Sequence, residues 1–150
     1  MIEWKEEKVI DAPIEEVWDL FKDKNIQRIM PKVEEHTIIE KTETEVGAKH
    51  TQTYREGKRT ETYIVDTLAY IDTTERKLKT ISFILARAFE MKLTFELVKE
   101  GEAQTRLIYA GHNKGINFVG KAMLKLGNKK GANDVIQDFL NRVDQEATKK

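Results

Sequence analysis

The sequence predicts one α+β domain: a curved antiparallel sheet of about seven strands wrapped around a long C-terminal helix, with two short helices between strands 1 and 2. Three observations carry this. Residues 89–98 alternate, with Phe89, Met91, Leu93, Phe95 and Leu97 on one face and Glu90, Lys92, Thr94 and Glu96 on the other, the period-two pattern of a strand with one wet side. Residues 116–148 carry apolar side chains at helical spacing, in one stripe of Phe118, Val119, Ala122, Met123 and Leu126 and a second of Ala132, Ile136, Phe139, Leu140, Val143 and Ala147. Between Val33 and Lys114, turn residues recur at Glu45-Val46-Gly47, Glu56-Gly57-Lys58, Asp72-Thr73-Thr74-Glu75 and Glu100-Gly101-Glu102, as in a run of antiparallel strands.

The elements follow in order. Residues 2–10 alternate loosely through Ile2, Trp4, Val9 and Ile10 and read as the first strand. Asp11-Ala12-Pro13 opens a helix: Pro13 suits its first position, Glu15 and Glu16 sit at the positive end of its dipole, and Val17, Trp18, Leu20 and Phe21 form its apolar side. Asn25–Met30 reads as a second, short helix stopped by Pro31. Six strands follow, with a further break near Leu85-Ala86-Arg87. A final helix of about thirty residues spans roughly 45 Å and needs a large partner surface. Gly115, Gly120, Gly127 and Gly131 interrupt it, and each interior helical glycine costs roughly 1 kcal/mol relative to alanine. The apolar stripe also changes phase there. A break is predicted near Gly127–Gly131, with the firmer helix running from about Ala132 and residues 114–131 acting as a gate.

Composition narrows the classes. The chain has 150 residues, 39% apolar and 35% charged, enough for one domain with a sizeable core. A formal net charge of zero gives no global attraction to nucleic acid or membrane. There is no cysteine, which excludes disulfides, thiolate nucleophiles and thiolate metal sites. No signal peptide is read at the N-terminus, and a cytoplasmic protein is expected.

A sheet of this size is expected to leave a cavity between its concave face and the last helix, and such cavities are common ligand sites. Here the chain resembles the START/Bet v 1-like (SRPBCC) superfamily, in particular its polyketide cyclase/dehydrase-like branch. The resemblance rests on Ile10-Asp11-Ala12-Pro13-Ile14-Glu15-Glu16-Val17-Trp18-Asp19-Leu20-Phe21-Lys22-Asp23, on Gly47 after Glu45-Val46, on Gly101 with Thr105-Arg106-Leu107, and on the final helix. It covers nearly the whole chain, 1–150, as a single domain of helix-grip fold. It implies binding of a small hydrophobic or amphipathic ligand of lipid, isoprenoid or aromatic polyketide type. A cyclase/dehydrase-like enzyme and a co-chaperone or membrane-surface protein are the alternatives.

The strand from Gly47 to Arg55 places His50, Gln52 and Tyr54 on one face and Lys49, Thr51, Thr53 and Arg55 on the other. Alternation leaves the inward face open; the first set is preferred because it carries the aromatic ring. The facing of the next strand, Arg59–Ile71, with Tyr63, is likewise open. The last strand offers Leu107 and Tyr109. The expected ligand-binding set is His50, Gln52, Tyr54, Tyr63, Phe89, Met91, Leu93, Phe95, Leu107, Tyr109, Met123, Leu126, Asn133 and Ile136. An enzyme would use His50 with Tyr54 or Glu61 as acid and base.

His36, His50 and His112 are the only histidines, and no two stand at a metal-ligand spacing. No metal site and no cofactor are expected, and His112, near a strand end, is expected to be exposed. Residues 103–133 contain no acidic residue. Lys121, Lys125, Lys129 and Lys130 beside the first apolar stripe form a basic amphipathic segment suited to transient contact with an anionic membrane. Nucleic acid binding is not expected, and a monomer or weak homodimer is.

Overall fold

A computed structural model describes residues 1–149 except Asn128, and the side chains of these except Glu35, Lys129 and Lys130. Strand β1 (Ile2–Ile10) leads into helix α1 (Ile14–Asp19) and the single-turn α2 (Ile26–Ile29). Strands β2 (Val33–Glu40), β3 (Lys49–Glu56), β4 (Arg59–Asp72), β5 (Arg76–Leu85), β6 (Phe89–Gly101) and β7 (Gln104–Gly115) follow. Helices α3 (Phe118–Leu126) and α4 (Lys129–Ala147) close the chain. The seven strands form one antiparallel sheet in the order β1-β7-β6-β5-β4-β3-β2. From β2 to β7 consecutive strands pair as hairpins, and β1 pairs with β7, so the first strand ends beside the last.

The alternation in β6 places Leu93, Phe95 and Leu97 in the core. Phe95 lies opposite Tyr109 of β7, with the two rings stacked 5.3 Å apart. Helix α4 lays Ile136, Leu140 and Val143 on this surface, and its Phe139 ring reaches Tyr109 at 4.7 Å and Phe95 at 5.6 Å. Phe21, just beyond α1, meets Phe95 from the other side at 5.1 Å, and Trp4 of β1 meets Tyr109 at 5.7 Å. Each such ring contributes roughly 1.5–3 kcal/mol by leaving water. Aromatic side chains from the sheet, α1 and α4 meet below α4 around Phe95 and Tyr109 and narrow the expected cavity there, while Phe83, Leu85 and Met91 remain only partly buried. Lys8 with Asp144 and Arg28 with Glu146 pair α4 to β1 and α2.

The break in the C-terminal helix falls at Gly127, whose backbone is extended (φ −68°, ψ 151°). The second helix resumes at Lys129, earlier than the expected Ala132. Helix α3 turns the opposite face from the one its stripe suggests. A Cβ on Gly120 would stand 2.1 Å from the Ala88 carbonyl oxygen, so the helix approaches the β5–β6 turn backbone to backbone there. Asn117 caps α3 by accepting from the Gly120 amide, and its side-chain amide donates to the Arg87 carbonyl. These contacts fasten the start of the segment expected to be a gate. They also turn Phe118 and Leu126 outward, 86% and 87% exposed, with Val119 and Met123 exposed beside them. The expected contributions of Met123 and Leu126 to an internal ligand site are therefore corrected. Asn133 is also exposed and does not contribute.

The β5–β6 turn itself is strained. Ala86 and Arg87 both adopt positive φ (54° and 55°), a conformation that disfavours side chains carrying a Cβ. The Ala86 amide is held by the Glu61 carboxylate and the Arg87 carbonyl by Asn117.

Candidate functional site

The β2–β3 hairpin register pairs His36 with Gln52 and Ile38 with His50. The two histidines thus lie diagonally across neighbouring strands, and their rings stack with centroids 4.6 Å apart. Across the next ladder Gln52 faces Tyr63 of β4. The hydrogen bonds follow the same row: His36 Nδ1 meets Gln52 Oε1 at 3.0 Å, and Gln52 Nε2 donates to the Tyr63 hydroxyl at 2.8 Å. His50, Gln52 and Tyr63 are buried.

Asp23 reaches this row from the loop after α1. Its Oδ1 stands 2.8 Å from His36 Nε2 and 3.1 Å from His50 Nε2. Asn25 positions the loop by donating to the Asp19 carbonyl and carboxylate. Burial alone would raise the proton affinity of Asp23. The hydrogen bonds to His36 and His50, together with the nearby Lys79 ammonium, outweigh it and hold the carboxyl well below the usual range. A depressed carboxyl stabilises the fold above its unfolded value of about 3.8, and this contribution is lost as pH falls below that value. Asp23→Asn is therefore expected to flatten the acid limb of stability below about pH 5, read from urea midpoints across the acid range. An unchanged slope would contradict the assignment.

Two spaces adjoin the cluster. The inner one, lined by His36, His50, Gln52, Lys79 and apolar side chains including Phe21 and Phe95, has a volume of about 20 Å³, room for about one water molecule. The outer one is a cleft of about 320 Å³ with Trp18, Phe21 and Tyr70 as its aromatic wall and the cations Lys22, Lys24, Lys41 and Lys79 beside the carboxylates Asp23 and Glu45. Phe21 and Lys79 border both spaces. Burial lowers the proton affinity of the Lys79 ammonium, partly offset by Asp23 and Glu45. Among the described residues no carboxylate lies within ion-pair distance of Lys79, and the buried indole N–H of Trp18 has no hydrogen-bond acceptor.

With this architecture in view, the comparisons with known proteins are specific about family. The model of the family described as "Polyketide cyclase / dehydrase and lipid transport" matches residues 1–148. The chain belongs to this family. Among solved structures, truncated norcoclaurine synthase from Thalictrum flavum superposes with a TM-score of 0.68 at 14% identity, over 99% of this chain and 94% of that one. The di-domain ARO/CYC BexL from the BE-7585A biosynthetic pathway gives 0.72 at 15% identity, over 97% of this chain and 46% of that one. Ara h 8.0201 gives 0.64 at 15% identity, over 99% of both. These likenesses show the Bet v 1-like helix-grip fold. A search of curated proteins finds no match by sequence. No helix among the described residues is long and apolar enough to cross a membrane.

Within this family member, the residues expected from sequence separate into groups. His50, Gln52 and Phe95 border the inner space. Tyr63, Leu93, Leu107, Tyr109 and Ile136 are buried in the core, while Tyr54, Phe89 and Met91 are partly buried. The pairing of His50 with Tyr54 or Glu61 is corrected. Tyr54 donates to Glu56, Glu61 accepts from the Ala86 amide, and the carboxylate partner of His50 is Asp23. Burial raises the Tyr63 hydroxyl to about 12 despite its bond from Gln52, and burial raises Tyr109 further, so neither supplies a phenolate near neutral pH. His112 is partly buried rather than exposed, 3.6 Å from Glu90. Sequence reading missed Asp23, His36 and Lys79. It expected no metal site because no two histidines stand at a metal-ligand spacing along the chain, whereas hairpin pairing brings two histidines together and the α1–α2 loop adds the carboxylate.

Proposed function

We propose that the protein binds a small amphipathic ligand with an aromatic or lipid-like body and an anionic oxygen, received in the cleft between α1 and β5. The observation that carries this reading is Lys79, a partly buried cation at the junction of cleft and inner space with no carboxylate partner among the described residues. An anionic oxygen beside it restores the electrostatic balance that burial disturbs. Trp18, Phe21 and Tyr70 offer apolar area to the ligand body. Family membership supports a ligand-binding role, and the aromatic cluster around Phe95 and Tyr109 under α4 favours the cleft as the place for the ligand.

The test uses 1-anilinonaphthalene-8-sulfonate, an aromatic sulfonate that fluoresces when desolvated. Saturable binding is expected, weakened about tenfold or more in Lys79→Met, the scale of one charge-assisted hydrogen bond. The uncharged N-phenyl-1-naphthylamine should bind more weakly and ignore the substitution. Equal binding of both probes to both proteins would count against an anion site.

A second reading concerns α3. Its exposed Phe118, Val119, Met123 and Leu126 lie on the same short helix as the exposed Lys121 and Lys125, a combination that suits the surface of an anionic membrane. The side chains of Lys129 and Lys130, expected to share this contact, lie outside the described residues. Phosphatidylserine vesicles should retain the protein at low salt and release it in Phe118→Ser/Leu126→Ser. Retention of the double variant would remove α3 from the account.

A further inference from the structure

We propose that Asp23, His36 and His50 form a binding site for one divalent first-row transition-metal ion of the zinc or iron(II) kind. Gln52 commits its Nε2 to the Tyr63 hydroxyl and turns its Oε1 to His36 Nδ1 at 3.0 Å. That contact places a proton on Nδ1. The other ring nitrogen, Nε2, stands 2.8 Å from the Asp23 carboxylate oxygen, with a proton between them in the metal-free protein and a metal ion in that proton's place in the proposed site. His50 Nε2 converges on the same oxygen at 3.1 Å. All three prospective donor atoms lie within 4.8 Å of one another.

A metal ion that displaces the protons between the rings and the carboxylate would be held by all three groups. Two imidazole nitrogens and one carboxylate oxygen are a donor set suited to zinc and iron(II), and the ion needs bonds of about 2.0–2.2 Å to each. These bond lengths require donor atoms slightly farther apart than the direct contacts. Asp23 can supply the movement, because it stands on a loop and its side chain is 31% exposed. Gln52 then fills a familiar supporting role: an acceptor on the far ring nitrogen that fixes the tautomer of a ligating histidine. His36 and His50 also border the inner space of about 20 Å³, which leaves room for a water as a further ligand. Lys79 is the opposing charge, since its ammonium acts on Asp23 from β5, but it is not a ligand. The site therefore does not rest on the anion proposed above.

The experiment titrates the metal-stripped, full-length protein with Zn²⁺ while the ring resonances of all three histidines are followed by NMR. His36 and His50 are expected to shift together at one ion per chain, with ring carbon shifts reporting Nε2 coordination, while His112 on β7 stays unchanged. Co²⁺ should give visible ligand-field bands that disappear in His36→Asn and His50→Asn. Gln52→Leu should weaken uptake by about 10–100-fold, the usual effect of losing such a supporting contact. Lys79→Met should retain the metal even where it loses the sulfonate probe. Equal shifts at all three histidines, no stoichiometric uptake by the folded wild-type protein, or uptake unaltered in both histidine variants would overturn the assignment.

Discussion

Phe95→Ala is expected to remove about 3–5 kcal/mol of stability, the range for deleting a buried aromatic side chain. Phe95 is 1% exposed and its ring contacts three others: Phe21 behind α1, Tyr109 on β7 and Phe139 on α4. Those rings belong to separate elements and are fixed by their own backbones, so they cannot collapse fully into the space left behind. Urea unfolding should show a lower midpoint with an unchanged slope, the signature of lost stability rather than a changed unfolded state. A loss below about 1 kcal/mol would mean that the region under α4 is loosely packed, and the case for directing ligands to the cleft would weaken with it. Because Phe95 also borders the inner space, Phe95→Leu, which keeps most of the volume, is the variant for separating packing from any effect on binding.

Gly111→Ala is expected to cost about 1–3 kcal/mol or more, although it adds only one methyl group. Gly111 lies in the middle of β7, opposite Trp4 of β1 and Leu93 of β6. An added Cβ would stand 2.4 Å from the Lys92 carbonyl oxygen and 2.8 Å from the Trp4 ring. The ring can turn away, but the carbonyl belongs to the β6–β7 ladder and moves only with the strand. This asymmetry gives a sharper test than the size of the loss. Trp4→Ala in the Gly111→Ala background should recover little, because it relieves only the yielding contact. Full recovery in the double variant would place the whole clash on the ring and contradict the backbone constraint. Thermal melts of the four proteins in the cycle measure the coupling.

The parts of this molecule legible in its sequence are those written in local periodicity. The β6 alternation puts Leu93, Phe95 and Leu97 in the core, and the Asp11-Ala12-Pro13 opening does lead into α1, with Pro13 just before its first residue. The Gly127 interruption divides α3 from α4 where the stripe changes phase. What was not legible depends on encounters between distant segments. The stripe on α3 says that the helix is amphipathic, but which face meets the sheet is set by the close approach of Gly120 to Ala88. Nor does the spacing of His36 and His50 reveal their stacking, because β2 pairs with β3 through register shifts on both sides of the paired residues. Asp23 is harder still, since its position depends on the turn between α1 and α2. The aromatic cluster under α4 follows from Phe21, Phe139 and Trp4 arriving from three elements at Phe95 and Tyr109, a meeting that no single strand pattern encodes.

The most direct test of the central claim is to locate a bound amphipathic anion by NMR. The amide and side-chain resonances of the isotopically labelled protein would be followed as 1-anilinonaphthalene-8-sulfonate is added. The account predicts a compact set of saturable shifts at Trp18, Phe21, Tyr70 and Lys79, with Phe139 and Ile136 of α4 little affected. Shifts centred instead on Phe139, Tyr109 and Ile136, with Lys79 silent, would place the ligand beneath the C-terminal helix and contradict the proposed site.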